Sequence, residues 1–406
     1  MKLPEILSPV GSFEGLSAAI KSGCDSVYFG VNQLNMRVRS SYNFSLEELK
    51  EVAEICKKAG IKSFITLNVV LYNHDLSQMR KVIDTAKEAG IGAIISQDMA
   101  AIIYANSVGI GVHASTQLSI SNIDSVRFYA KFVDTIVLAR EVDLKQIKEI
   151  CSKCREENIL GKSGRPIEIE VFIHGALCVA QSGRCQMSLL QSNTSAQRGA
   201  CLQECRKKYI ITDEETGVQL GVDGSYVMSP KDLCTLPFLD KIIETGVATL
   251  KIEGRARNPL YVSVVTKVYK DALKAISEGK FDDAFIEKGM AELNSVYNRG
   301  FCDGYYLGMA LPEWTNARGN VAKDELIYSG KVVHFFPKVS IVEILPEAHK
   351  IEDGDNYVIT GKTTGVLKGV VSGLKYDEET KTVTFKVDER VRLNDQVYIL
   401  KERKND

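Results

Sequence analysis

Five of the ten cysteines fall between residues 178 and 234, and their spacing suggests a ligand set. Six residues separate Cys178 from Cys185, three separate Cys201 from Cys205, and 28 separate Cys205 from Cys234. Thiols gathered in loops beside Gly, Arg and Lys read first as ligands of a soft metal centre. The spacing lacks the paired Cys-x2-Cys knuckles of a zinc ribbon. Irregular spacing with one long return is more typical of an iron–sulfur enzyme, where the fold brings the thiolates together. A 4Fe-4S cluster is therefore the expectation, with structural Zn or unligated thiols as the alternatives. Four thiolates on a cluster core leave roughly two negative charges to offset. Arg184, Arg198, Arg206, Lys207 and Lys208 lie beside the ligands in sequence and would supply that compensation. Gly175, Gly183 and Gly199 would let backbone amides approach sulfur. Five candidates exceed four positions, and spacing does not choose between Cys205 and Cys234.

The remaining cysteines read as structural. Cys151-Ser-Lys-Cys154 lies within an amphipathic helix expected at 144–158, with no glycine or proline to shape a redox loop. Cys24, Cys56 and Cys302 read as small buried hydrophobes. Other chemistry is sparse: there is no His-Glu-x-x-His, no Gly-x-Ser-x-Gly elbow and no phosphate-binding Gly-x4-Gly-Lys-Ser/Thr loop. His113, His174 and Glu253 are the candidate acid–base groups, His174 also being placed to hydrogen-bond the cysteine loop. Arg37, Arg39, Arg140, Lys251 and Arg255 are candidate substrate-binding cations, since guanidinium forks suit carboxylate or phosphate.

These side chains need a scaffold. The chain has 406 residues, 45% hydrophobic and 25% charged, with a formal net charge of -1. The length allows two or three domains, and the balanced charge means any nucleic-acid surface must be local. No stretch is apolar enough for a membrane helix and no apolar leader is visible, so a cytoplasmic protein with reduced thiols is expected. Up to about residue 280, β-branched runs alternate with amphipathic stretches at the period of a βα unit. Eight strands are expected, at 5–10, 26–30, 63–68, 93–98, 111–117, 135–140, 167–174 and 249–253. A TIM-like (β/α) barrel accommodates them better than an open doubly wound sheet, which would want a glycine fingerprint after its first strand. In such a barrel chemistry gathers at the strands' C-terminal ends. Those ends supply Ser8, Tyr28, Asn68, Asp98, His113, Ser115, Gln117, Arg140, Glu141, His174, Lys251, Glu253 and Arg255.

The domains expected are a barrel over 1–310, carrying a cysteine-rich insertion at 175–235, and a small antiparallel β-barrel over 325–406. For the latter the alternating pattern predicts strands at 331–336, 339–345, 355–359, 369–374, 382–387 and 396–400.

The run Glu170-x-Phe-x-His-Gly-Ala-Leu-Cys178-x-Ala-x-Ser-Gly-x-Cys185-x-Met-Ser188 resembles the signature of peptidase family U32, the collagenase-like proteases. Glu5-Ile-Leu-Ser-Pro-Val-Gly11, Asn35-Met-Arg37, Gly199-x-Cys-x3-Cys-Arg206, Lys231-Asp-Leu-Cys234 and Leu250-Lys-Ile-Glu-Gly-Arg255 resemble its other blocks. The resemblance implies two competing activities. Some members are described as proteases; others carry a 4Fe-4S cluster and support oxygen-independent hydroxylation of a tRNA wobble uridine with prephenate as oxygen source, of an rRNA cytidine, or of the ubiquinone ring. It maps the ligands to Cys178, Cys185 and Cys201, with Cys205 in the tRNA-type pattern and Cys234 in other branches. Gln181 stands where the signature usually has Phe or Tyr. The expectation is an enzyme that converts the tRNA wobble uridine to 5-hydroxyuridine, with tRNA or rRNA and a small dicarboxylate as partners and the terminal domain helping to dock RNA. A peptidase with a structural metal is the rival from another class, and quinone-ring hydroxylation is a third reading.

Overall fold

The computed structural model describes residues 3–39, 42–220, 228–308, 313–317 and 319–403. Seven strands pair in parallel in chain order: β1 (Glu5–Pro9), β2 (Ser26–Gly30), β3 (Lys62–Leu67), β4 (Ala93–Ser96), β5 (Gly111–Ala114), β6 (Thr135–Val137) and β7 (Glu168–Ala176). A short hairpin, β8 (Ile211–Thr212) and β9 (Gln219–Leu220), and then β10 (Asp232–Cys234) precede β11 (Thr249–Ile252). Strand β11 pairs with both β7 and β1 and closes an eight-stranded parallel barrel. The TIM-like fold read from the βα rhythm is therefore correct.

Six helices fill the first six crossovers: α1 (Phe13–Lys21), α2 (Leu49–Ala59), α3 (Leu76–Ala89), α4 (Met99–Val108), α5 (Ile123–Ala130) and α6 (Leu144–Glu156). Each buries an apolar stripe on the barrel, as with Val52 and Cys56 of α2 or Ile147, Cys151 and Cys154 of α6. Polar side chains set the helix starts. Ser12, Asp98, Asn122 and Asp143 accept backbone N–H bonds in the first turns of α1, α4, α5 and α6. Ser45 and Glu48 exchange reciprocal capping bonds of 2.7 and 3.3 Å as expected, one turn before α2 becomes regular. Burial pushes the Cys151 thiol up to about 12 and Cys154 up to about 11, so this pair is core filling.

The insertion follows β7, which is nine residues long and outruns its barrel neighbours. Its end pairs antiparallel with β10, Cys234 opposite His174 and Asp232 opposite Ala176. The insertion also carries α7 (Met187–Ser192). Beyond β10 come α8 (Leu239–Glu244), then, after β11, α9 (Pro259–Ser277), α10 (Asp283–Asn294) and β12 (Phe301–Cys302), which pairs with β10.

The C-terminal region is a seven-stranded antiparallel sheet: β13 (Asp324–Phe336), β14 (Ile341–Pro346), β15 (Asn356–Gly361), β16 (Gly365–Val370), β17 (Lys375–Asp377), β18 (Thr382–Lys386) and β19 (Gln396–Glu402). The strand expected at 369–374 straddles the end of β16 and a turn with Gly373 at φ +69. One face encloses a second core including Val332, Ile344, Phe385 and Ile399. Val358 on β15 belongs to the barrel's own core, and β16 lies against α1, with Lys21–Glu389 and Lys362–Glu51 ion pairs of 2.9 and 2.7 Å across the seam.

Candidate functional site

The C-terminal mouth of the barrel opens into a cleft bordered by Tyr28, Asn68, Gln117, Arg140, Glu141, Lys251, Glu253 and Arg255 from the strand ends. Its outer wall comes from the insertion, and includes Cys178, Cys185, Cys201 and Cys205. Cys178 is exposed and the other three are half-buried. Burial raises the Cys205 thiol to about 11; Arg206 opposes this, while Cys178, Cys201 and Cys185 add to it, which places all four thiols in one field.

The insertion is pinned down at several points. At Gly175, φ is +104 and a Cβ would overlap the Glu253 carbonyl; at Gly199, φ is +84 and a Cβ would overlap the Asn35 carbonyl. These glycines let the chain press against barrel loops, a different duty from exposing amides to sulfur. The half-buried Arg206 guanidinium donates to Leu177 O at 2.7 Å, Ser229 Oγ at 3.0 Å and Pro230 O at 2.5 Å. Arg198 ion-pairs with Asp75 and donates to Val70 O at 2.7 Å.

Cys234 is placed elsewhere. It is buried on β10, with its sulfur 3.8 Å from Tyr269 Oη and 3.7 Å from Met290 Sδ, and does not line the cleft. Position in the sequence concealed this, because the residue sits on a strand whose side chain faces the core under α9. Of the two, Cys205 lines the cleft together with Cys178, Cys185 and Cys201, and Cys234 does not.

The floor of the cleft is an ion-pair lattice. Arg37 Nη2 lies 3.1 Å from Glu253 Oε1, Arg140 Nη2 lies 4.0 Å from Oε2, and Tyr28 Oη donates to Oε2 at 3.1 Å. Burial alone would raise the Glu253 carboxyl, but Arg37, Arg140 and Arg255 outweigh it and hold it down at about 2. Glu253 is thus a fixed anion that gathers cations; as a proton acceptor near neutrality it is weak, contrary to the acid–base role expected of it. Arg140 also donates to Ala176 O at 2.7 Å and stacks 3.8 Å over Phe172. Arg255 is buried, donating to Thr66 Oγ1 at 2.6 Å and Asn35 Oδ1 at 3.2 Å. Lys251 Nζ lies 2.7 Å from Glu170 Oε1 and 4.5 Å from the Tyr28 ring centre. Glu141 contributes a buried carboxylate oxygen with no hydrogen-bond partner.

Three expected site residues fall outside the cleft. His174 is 1% exposed, caged by Tyr261, Tyr269 and Phe301, and burial together with nearby Arg257 lowers its imidazole to about 3. It is a neutral core histidine whose Nδ1 lies 3.3 Å from Tyr269 Oη. His113 borders a second cavity at the barrel's N-terminal end, 3.4 Å from Glu170 Oε2. Arg39 is exposed and does not line the cleft. Conversely, Arg299 joins the lining unforeseen, beside Arg257 of the arginine-bearing run that follows β11: both stack on Tyr297, at 5.3 and 3.5 Å, and Arg299 pairs with Asp232 at 3.1 Å. Arg299 comes from a segment after the barrel pattern has faded; its only signal was an arginine preceding the short apolar run of β12.

The family model "Peptidase family U32" matches residues 11–316, which contain the whole cleft. The chain belongs to this family. Among curated U32-like relatives, a "Collagenase" of Porphyromonas gingivalis is 46% identical over 401 residues, covering 97% of both chains. The "tRNA hydroxylation protein P1" of Bacillus subtilis is 34% identical, covering 76% of this chain and 72% of its own. The "23S rRNA 5-hydroxycytidine C2501 synthase" of Escherichia coli is 35% identical over 74% of this chain and 44% of its own. The family thus brings RNA hydroxylation and collagenase names to similar sequences. No helix among the described residues is long and apolar enough to cross a membrane.

Proposed function

We propose that this U32 protein is an iron–sulfur RNA-modifying enzyme that hydroxylates C5 of a pyrimidine without molecular oxygen, with the tRNA wobble uridine as substrate and 5-hydroxyuridine as product. The observation that carries the reading is the meeting of four thiols with an arginine-rich cleft at the barrel mouth. Cys178, Cys185, Cys201 and Cys205 would hold a 4Fe-4S cluster, with Arg206 and Arg37 offsetting its negative charge. Bound there, such a cluster supplies redox chemistry to the cleft wall. Among the described residues no three His, Cys, Asp or Glu side chains stand close enough together to hold a metal ion, so the four thiols would have to draw in around a cluster or a zinc ion alike.

The chain's own groups have distinct duties in this reading. Arg140 and Arg37 present forked donors to the carboxylates of a small dicarboxylate such as prephenate. Lys251, paired with Glu170 and set against the Tyr28 and Phe172 rings, adds a fixed positive charge at the cleft floor. Glu141, unpartnered at Oε2, would accept a ring N–H or amino donor from the pyrimidine edge. Phe172 and the barrel lining keep water from the reacting carbon.

The test is deletion of the gene in a host without a redundant paralogue, followed by mass spectrometry of tRNA and rRNA nucleosides. Loss of a 5-hydroxypyrimidine supports the proposal; an unchanged profile removes it. An ultraviolet–visible spectrum with iron and sulfide assay on anaerobically purified protein decides the metal.

A collagen-degrading peptidase is the second reading, favoured by the full-length similarity to a collagenase. Among the described residues no histidine lines the cleft to serve a Ser or Cys nucleophile, so hydrolysis would need another base. Gelatin cleavage by purified protein, lost on altering cleft residues, would establish it.

A further inference from the structure

We propose that Tyr72, backed by Arg198, is a stacking platform for an unpaired nucleobase at the rim of the cleft, holding the RNA strand at a base near the one modified. The proposal rests on the RNA-modifying reading above. Tyr72 lies in the loop between β3 and α3, four residues after the cleft residue Asn68, and its side chain is 54% exposed. Half-exposed tyrosines are common on mobile loops, where they carry no meaning. This loop is tied down. Val70 N donates to Gln197 O at 3.2 Å, Leu71 N to Asp98 Oδ2 at 3.1 Å, and Tyr72 N to Asp75 Oδ2 at 2.7 Å.

The Arg198 guanidinium carbon lies 4.5 Å from the Tyr72 ring centre and is fixed there by Asp75 and Val70 O. One side of the ring is therefore packed on a planar cation, with His74 tilted beside it at 5.7 Å. Because Asp75 neutralises Arg198, the pair offers π surface more than net charge, which favours a base over a phosphate. Arg198 belongs to the same insertion as the four thiols, three residues before Cys201. The platform is thus tied to the segment that carries the thiols, so a base stacked on Tyr72 would hold the strand beside the cleft wall.

The experiment is fluorescence anisotropy of the full-length, anaerobically purified protein with a labelled anticodon stem–loop RNA. Tyr72→Ala should weaken binding about five- to a hundredfold, while Tyr72→Phe and Tyr72→Trp retain it. The salt dependence of binding should keep its slope, since no phosphate contact is lost. Replacing one loop nucleotide at a time by an abasic unit should reveal a position that weakens wild type by the same factor and Tyr72→Ala no further. Equal RNA binding by wild type and Tyr72→Ala, or the absence of any such coupled position, overturns the platform. Failure of wild type to bind any RNA, with gelatin bound instead, overturns the RNA reading itself.

Discussion

Lowering the pH from 7.5 to 5 should cost the folded chain about 2 kcal/mol through His174 alone. Burial among Tyr261, Tyr269 and Phe301, with Arg257 nearby, holds the folded imidazole at about 3, against about 6.5 in an unfolded chain. With the folded value below the unfolded one, the unfolded chain binds the extra proton between pH 6.5 and 3, and stability falls as pH falls through that window. The slope approaches about 1.4 kcal/mol per pH unit, and integration from pH 7.5 to 5 gives about 2 kcal/mol. The carboxyls of Glu170 and Glu253, held at about 2, contribute further losses only below about 4.5. The interval from 6.5 to 5 therefore isolates the histidine. Urea midpoints followed by circular dichroism at pH 7.5, 6 and 5 should slope downward for wild type and run nearly flat for His174→Asn, whose amide can still meet Tyr269. Equal slopes in both proteins would mean that the imidazole titrates in the folded state, and an acid–base role for His174 would stand again.

Other outcomes follow from the same geometry. Cys178→Ala, Cys185→Ala, Cys201→Ala and Cys205→Ala should each lose most bound iron and sulfide on anaerobic purification, whereas Cys234→Ala should keep both; iron loss in Cys234→Ala would put β10 in the ligand set. Lys251→Met should destabilise by about 3–5 kcal/mol, because it strands the fully buried Glu170 carboxylate, and Lys251→Met combined with Glu170→Leu should recover much of that in urea titrations. Glu253→Gln removes a carboxylate whose stabilising effect is present above about pH 4.5 and fades toward 2; the variant should be less stable than wild type at pH 7, with the gap narrowing in acid.

How far these features were legible in the sequence depends on whether local chemistry or long-range packing decides them. The barrel strands were readable because parallel strands covered on both faces must be short, continuous apolar runs; all five residues of Ser26–Gly30 are buried. The capping pair Ser45 and Glu48 was equally local. The gathering of cysteines at one wall of the cleft was readable from their spacing but not which four would line it, because β10 pairs with the overlong end of β7 and turns Cys234 into the core. The histidines misled for a related reason. His113 and His174 lie in strands, where neighbouring side chains face opposite sides of the sheet, so one position decides whether a side chain faces the barrel interior or the core beneath the helices. Glu253 was found but its duty was not, since its charge state is set by arginines from three separate loops.

The insertion makes contacts to the barrel that use no thiol, and this has a measurable consequence. Ordering a segment of that length costs about 1–2 kcal/mol of backbone entropy per residue, which must be offset locally. In a zinc finger the metal supplies the offset and the apo chain unfolds. Here the contacts are already made: Arg206 to Leu177 and Pro230, Arg198 to Asp75 and Val70, and the close approaches of Gly175 to Glu253 and Gly199 to Asn35. The Arg206 bonds tie the two ends of the insertion to its middle, the other contacts fasten it to the barrel loops, and none uses a thiol. Protein treated with chelator and oxidant should therefore keep the far-ultraviolet circular dichroism of the barrel and unfold in one urea transition near that of the untreated protein. Protease cleavage should remain slow between residues 196 and 206. Arg206→Ala, by contrast, should open that stretch to protease even with iron and sulfide supplied. Collapse of the barrel signal on metal removal alone would show that these contacts are too weak to shape the wall, and that the thiols meet only when a metal gathers them.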